Sequence, residues 1–475
     1  MSKHVNNNSQ NIGPLHLFKK EEVIKIRQLL LEWYDANHRV LPWRNIANTE
    51  TDYDKRAYAV WVSEIMCQQT QVATVIDYYN KWMLQWPTVD KLADASLEEV
   101  NKTWAGLGYY SRAKRLHEGA LKVTRNMNGK FPKGRDCIRK ELPGVGRYTA
   151  SAIASISSKE PVGVVDGNVF RVLSRIRAIG ADISSQCVIE EMWKMSDELV
   201  DEDEPGDFNQ ALMELGALIC TPKTPKCGSC PVKNLCVSYS LADKKAIGKF
   251  SENKRSKNCI VDLECRVQNF PRKSKKTLVK NKISAVIIVR KEAEVNVPQY
   301  LFIQRPKKGL LANLWEFVSV VVSHDNENEH NNTEEKPLME IDETFIKKKL
   351  ESSLKDDFKF PDKIIKNLKY VSEVTHIFSH IHQIYKVYEV TCHDSSIHIS
   401  YPQNYQGVKW MSEEVFLVCA TSTAMKKVFK AYKTSISNDS KTLKEKRKRS
   451  PSRRNVDEKQ RKLSHFFKRL PKTES

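Results

Sequence analysis

Four cysteines fall within seventeen residues, Cys220-TPKTPK-Cys227-GS-Cys230-PVKNL-Cys236. Thiolates this close ligate soft metals, and a set of four suits zinc and an iron–sulfur cluster about equally. A second stretch, LPGVGRYTASAIASI (142–156), sets Gly144 and Gly146 in a turn that opens an apolar helix. Glycine lets the backbone approach a ligand closely, and a helix N-terminus offers free amides, so the turn suits an anion such as a phosphate. An ordinary turn between helices would read the same way. The preceding apolar helix and the basic charge of the chain favour a helix–hairpin–helix that grips a DNA backbone. In VVDGNVFRVLSRI (164–176), Asp166 precedes an amphipathic helix. It is placed to cap that helix, and equally to aim a carboxylate into a cleft beside the hairpin.

The elements that must position these groups divide the 475 residues into two bodies. From Glu21 to about Ser240, apolar residues recur at three and four spacing, as in Val23, Ile26, Leu29, Leu30 and Trp33, so residues 15–240 read as an all-α domain. Residues 1–14 are polar and read as disordered, and 241–281 read as a basic linker. ISAVIIVR (283–290), YLFIQR (300–305), HIFSHIHQIYKVYEV (376–390) and VKWM (408–411) read as strands of an α+β domain over 282–432. Residues 433–475 are charged and read as a disordered basic tail. A net charge of +20 favours a polyanion, with nucleic acid first and an anionic membrane second. No apolar run is long enough to span a bilayer. The N-terminus resembles neither a secretory signal nor a transit peptide. The eleven cysteines therefore point to a reducing compartment and metal binding rather than disulfides.

In order along the chain, a helix–hairpin–helix, V-D-G-N and C-x6-C-x2-C-x5-C resemble the endonuclease III superfamily of DNA glycosylases. LPWR (41–44), VWVSEIMCQQTQVATVI (60–76), WAGLGYYSRAKRLH (104–117) and FNQALMELGALICT (208–221) are similar to its MutY branch, the adenine glycosylases, and the second domain and tail to the animal form of that branch. The resemblance implies a 4Fe–4S cluster on Cys220, Cys227, Cys230 and Cys236. Lys223, Lys226 and Lys233 then suggest a phosphate-facing surface on the cluster loop.

Bifunctional relatives carry a lysine after G-V-G-R, whose amine attacks C1′ and permits strand cleavage. Here that place holds Tyr148, which predicts base removal without an efficient lyase step. Glu64 lies between Trp61, Ile65 and Met66, so partial burial should raise its pKa and keep a proton available. Glu64 and Asp166 then supply the acid and carboxylate that glycoside cleavage requires. By resemblance, Glu64 protonates a flipped adenine at N7, Asp166 stabilises the cationic sugar, and Tyr148 and Asn168 support them. Arg39, Leu41, Trp43, Arg44 and Gln210 match positions lining the adenine pocket. Gln69, Thr70, Leu107 and Tyr109 match positions that wedge into the duplex or contact 8-oxoguanine opposite the adenine. Between the adjacent tyrosines 109 and 110, Tyr109 is the expected wedge.

ISAVIIVR through LLANLWEF (310–317) resembles a Nudix fold, yet the acidic helix that holds magnesium in Nudix hydrolases does not follow Phe317. A nucleotide hydrolase is disfavoured, and lesion recognition through Ser379 and His380 is the implied use. Gln460, Leu463, Phe466 and Phe467 have the spacing of a PCNA-binding peptide. KEKRKR (444–449) reads as a nuclear signal or DNA tether. Nuclear localisation, with a mitochondrial pool as an addition, is the expectation. Cys259 and Cys265 in the linker do not form C-x-x-C, so a further zinc site there would need outside ligands. Docking of a checkpoint clamp and mismatch-repair factors is implied by the family alone, and a monomer is expected. The competing readings are a bifunctional glycosylase/lyase, a non-catalytic DNA-binding module and a pool-cleaning hydrolase.

Overall fold

The computed structural model describes residues 16–242, 266–272, 280–291, 297–324, 342–378, 381–392, 401–403 and 405–449. The chain divides into a unit ending at Thr277 and one beginning at Leu278.

The first unit is helical. Helix α1 (Lys20–Asn37) buries Val23, Ile26, Leu30 and Tyr34, one stripe at three-to-four spacing. The backbone amide of Lys19 donates to Glu22 at 2.9 Å, which secures its first turn. Helix α2 (Pro42–Thr49) starts with proline, whose missing N–H costs nothing at a first turn. Helix α3 (Tyr53–Cys67), capped by Asp52, is buried along almost its whole length from Ala57 to Met66. Helices α4 (Val72–Gln85), α5 (Val89–Asp94), α6 (Leu97–Trp104) and α7 (Ser111–Asn126) follow. Trp82, Trp86 and Trp104 pack edge to face among them.

Helix α8 (Arg135–Glu141), the glycine turn and α9 (Arg147–Ser158) form the hairpin, with α9 packed on α3. Gly144 has φ +77°, and a Cβ there would lie 2.5 Å from Cδ of Arg115. Helices α10 (Gly167–Ile176), α11 (Gln186–Leu199) and α12 (Pro205–Leu218) complete the unit. They close with α1 on a core that includes Val172, Met192, Phe208 and Leu212. Two short 3₁₀ turns, 227–229 and 233–235, carry the cysteine loop into α13 (Val237–Ala242).

The stretch 241–281 is not linker throughout. Residues 266–272 are fastened to the helical unit, with Val267 and Phe270 buried. Arg272 pairs with Asp182 in an isolated bridge.

The second unit is a seven-stranded mixed sheet. Its strands are β1 (Lys280–Lys291), β2 (Gln299–Gln304), β3 (Trp315–Glu316), β4 (Val318–His324), β5 (Lys369–Ile377), β6 (Ile381–Cys392) and β7 (Gly407–Ser412). The order is β3-β2-β1-β6-β5, with β4 also paired to β1 and β7 to β2. Strand β1 alternates between two cores. Ala285, Ile287 and Val289 face the helix 343–356, and Val286 and Ile288 face the helix 423–449. Burial on both faces explains its unbroken apolar run.

The stretch 376–390 is not one strand but two antiparallel ones, with His376 opposite Gln383 and Ile377 opposite His382. The expected disordered tail does not begin at 433, because the helix that starts at Thr423 continues to Arg449.

Candidate active site

Elements distant in sequence bring the two carboxylates to one cleft of about 940 Å³. Glu64 comes from the last turn of α3, Tyr148 from the first turn of α9, and Asp166 and Asn168 from the start of α10. Asp166 performs both of its candidate tasks. Its Oδ1 caps α10, accepting from the amides of Asn168 at 2.9 Å and Val169 at 2.7 Å. Its Oδ2 accepts from Asn168 Nδ2 at 2.8 Å. The cap fixes the carboxylate at the cleft wall. Asn168 is held in turn by Arg171, which donates to its Oδ1 at 2.9 Å and to the carbonyls of Gly216 at 2.7 Å and Cys220 at 2.8 Å.

Glu64 lines the cleft beside Tyr148, Asp166 and Arg44. Burial pushes its carboxyl up to about 7; the Tyr148 hydroxyl, hydrogen-bonded to it, pulls down, Asp166 pushes up and Arg44 pulls down. Burial and the two carboxylates hold the Tyr148 phenol well above its ordinary value, so it stays protonated. It lies 3.2 Å from the sulfur of Met213. The pair therefore combines a carboxylic acid that still carries a proton near neutrality with a helix-capped carboxylate. Protonating a leaving group and stabilising a cation beside it need that division of labour.

The adjoining wall joins Arg39, Arg44 and Gln210. Arg44 donates to Gln210 Oε1 at 2.9 Å and to Glu214 Oε2 at 3.0 Å. Arg39 grips Glu214 through Nε at 2.7 Å and Nη2 at 2.8 Å. Burial would raise the Glu214 carboxyl, but the two arginines overcome it and hold it at about 2. Leu41 and Trp43 line the cleft and are also core, Trp43 meeting Tyr79 edge to face at 5.3 Å.

At the mouth, Gln69, Thr70 and Tyr109 line the cleft. Gln69 and Tyr109 both have positive φ, 54° and 47°, a conformation that non-glycine residues adopt at a cost. Tyr109 is 43% exposed and Tyr110 is buried, which separates the two tyrosines that the sequence alone leaves equivalent. Leu107 departs from expectation. It is buried rather than presented to a duplex, because the loop folds back onto Trp104 and Arg112. Arg112 ties the mouth together, donating to the carbonyls of Ile65, Met66, Gln68, Leu107 and Gly108 and to Thr70 Oγ1. Gly144 and Gly146 lie outside the cleft. Around Gly146, which caps α9 with backbone alone, a Cβ would meet nothing within 4 Å.

The four cysteines line a second cavity with Val172, Arg175 and Val267. All four sulfurs face one largely apolar cavity walled by Val172, Ile176, Leu215 and Val267, a surrounding that suits a cluster held by four thiolates. Burial pushes the thiols of Cys230 up to about 12 and Cys236 up to about 11. Such sulfurs become thiolates when a metal supplies the compensating charge. Lys223 and Lys226 are exposed, while Lys233 turns back to the carbonyl of Gly228 at 3.4 Å.

Residues 62–198 match the HhH-GPD superfamily of base excision DNA repair proteins, and 220–236 match the iron–sulfur binding domain of endonuclease III. Residues 285–431 match the NUDIX domain. Adenine DNA glycosylase of Mus musculus is 43% identical over 438 residues, covering 89% of this chain and 81% of its own. The Homo sapiens adenine DNA glycosylase is 43% identical, covering 89% and 77%. This chain belongs to the adenine DNA glycosylase family. Among solved structures, a non-covalent endonuclease III–DNA complex covers 47% of the chain at 20% identity with TM-score 0.39. The C-terminal domain of mouse MUTYH in complex with human PCNA covers 32% at 30% identity with TM-score 0.24.

The chain is thus a DNA N-glycosylase of base excision repair, with a helix–hairpin–helix domain, a 4Fe–4S cluster and a Nudix-like domain. Two features of this glycosylase's site escape a reading of its sequence. Glu214 is one turn beyond Gln210 in an apolar helix, and that lone acid in ALMELGAL was the available signal. Arg112 had none, because its hydrogen-bond partners are backbone carbonyls and a hydroxyl and its remaining contacts are the rings of Trp104 and Tyr109. Ser379, His380, Cys259, Cys265, Gln460, Leu463, Phe466 and Phe467 lie outside the described residues.

Proposed function

We propose that this glycosylase removes adenine paired with 8-oxoguanine, or with guanine, and leaves the sugar–phosphate strand uncut. The observation that carries the reading is the raised Glu64 carboxyl facing a capped Asp166, with Tyr148 where a lyase needs an amine. The hairpin, with Gly144 and Gly146, holds the backbone. Tyr109 enters the duplex as adenine leaves the stack, and Gln69 and Thr70 read the opposite base. Arg39, Leu41, Trp43, Arg44 and Gln210 enclose the flipped base. Glu64 gives its proton to N7, the bond between N9 and C1′ breaks, and the electron pair leaves with adenine. The cationic sugar forms beside the Asp166 carboxylate, and Glu64, now ionised, takes a proton from the water that adds to C1′. The Tyr148 phenol keeps Glu64 oriented and cannot form a Schiff base.

The oxidised base is recognised in part by Ser379 and His380 of the second domain. The tail motif Gln460, Leu463, Phe466 and Phe467 binds PCNA, and its Q-x-x-L-x-x-F-F spacing supports this. Localisation is nuclear, which the basic run 444–449 supports.

Asp166→Asn tests the chemistry. Adenine release should be lost while binding to the lesion duplex persists. Borohydride should trap no covalent adduct with the unaltered protein. Undiminished turnover of the variant would remove Asp166 from its role, and an efficient trapped adduct would make the enzyme bifunctional.

A further inference from the structure

Residues 266–272 form a wall of the cluster site that the cysteine spacing does not announce. Val267 lines the same cavity as Cys220, Cys227, Cys230 and Cys236. It is 6% exposed, and Phe270 is 4% exposed. The segment opens in a short turn (Arg266–Asn269) packed on α13, the helix that directly follows Cys236. Its backbone is pinned toward its C-terminal end. The Phe270 carbonyl accepts from Arg175 Nε at 3.0 Å, and Arg272 pairs with Asp182. Gln268 also donates through its side chain to the carbonyl of Lys223 in the cluster loop.

Arg175 is the common anchor. It is almost fully buried. Its Nη1 donates to the carbonyl of Thr221 at 2.7 Å and to that of Cys220 at 3.3 Å, and lies 3.4 Å from the Cys220 sulfur. Its Nη2 reaches the carbonyl of Pro222 at 3.1 Å, and its own carbonyl is 3.3 Å from the sulfur of Cys236. One guanidinium therefore holds the ligand loop and the segment beyond it to the same point.

We propose that residues 266–272 are a plug for the iron–sulfur site, with Val267 closing the cavity and Arg175 latching the segment to the Cys220 loop. The segment between the two domains then governs how readily oxidants and chelators reach the cluster. Solvent access is a principal control on cluster lability. Val267 contributes an apolar side chain to the closed state, so trimming it makes local opening more frequent. Gln268 supplies a side-chain tether whose loss leaves the apolar closure in place.

The test is the decay of the cluster's visible absorbance in full-length purified protein exposed to ferricyanide, with iron release to a chelator measured in parallel. Val267→Ala should bleach about tenfold faster than the unaltered protein. Val267→Ile, which keeps the cavity closed, should bleach at the original rate. Thermal melting separates access from folding. Val267→Ala bleaching at the original rate would overturn the inference. Equal acceleration in Val267→Ile, accompanied by a lower melting temperature, would overturn it too, since that marks general destabilisation.

Discussion

At the scale of single residues, the chemistry depends on two carboxyl groups held in different surroundings. Asp166 is engaged by two amides and the Asn168 side chain. Glu64 is raised by burial to about 7. Its proton is present below that value and lost above it. Single-turnover adenine release should therefore decline as pH rises through about 7, approaching about tenfold per unit beyond it. Tyr148→Phe sharpens the expectation. The Tyr148 hydrogen bond lowers the Glu64 pKa, so its removal raises that pKa and shifts the alkaline limb to higher pH. A pH–rate profile of the two proteins checks both statements, and an unmoved limb would detach Tyr148 from the acid. Asp166 was legible in the sequence because N-capping is local. The ionic grip on Glu214 was not, since Arg39 and Arg44 lie about 170 residues away and only folding brings them together.

At the scale of elements, the site depends on how closely α10 and α12 pack. Gly216 on α12 faces Asn168, where a Cβ would stand 2.6 Å from the Asn168 Cβ and 3.1 Å from its carbonyl oxygen. Gly216→Ala must therefore displace the first turn of α10, which Asp166 caps. Overpacking of this kind costs about 1–3 kcal/mol, and a shift near 1 Å in a reacting group can cost about a hundredfold in rate. The variant should melt at a lower temperature and release adenine about a hundredfold more slowly. A folded variant of unchanged rate would show that α10 yields without moving Asp166. Helix positions were readable because three-to-four periodicity is strong in this domain. The hairpin of β5 and β6 was not. HIFSHIHQ contains no glycine, proline or asparagine to mark a boundary between the two strands. Residues 266–272 were hidden within a basic linker because their anchors are carbonyls, which any sequence supplies.

At the scale of the whole molecule, the two units divide the labour. The helical unit holds the cleft and the cluster, and the sheet of the second unit is buried on both faces between helices. The net charge of +20 supports association with DNA. Beyond Arg449, two adjacent phenylalanines stand in a basic stretch. Replacing Phe466 and Phe467 together with alanine should abolish co-elution with PCNA and leave adenine release unchanged. Retained co-elution would assign the contact elsewhere in the chain. The family was legible from motif order, whereas the proposed preference for the opposite base calls for direct assay. That assay offers the full-length protein matched duplexes carrying adenine opposite 8-oxoguanine, guanine, cytosine or thymine, and scores strand breaks with and without hot alkali. Alkali-dependent breaks at adenine are expected, fastest opposite 8-oxoguanine, slower opposite guanine and absent opposite thymine. No release opposite 8-oxoguanine, or breaks that appear equally without alkali, would contradict the proposed function.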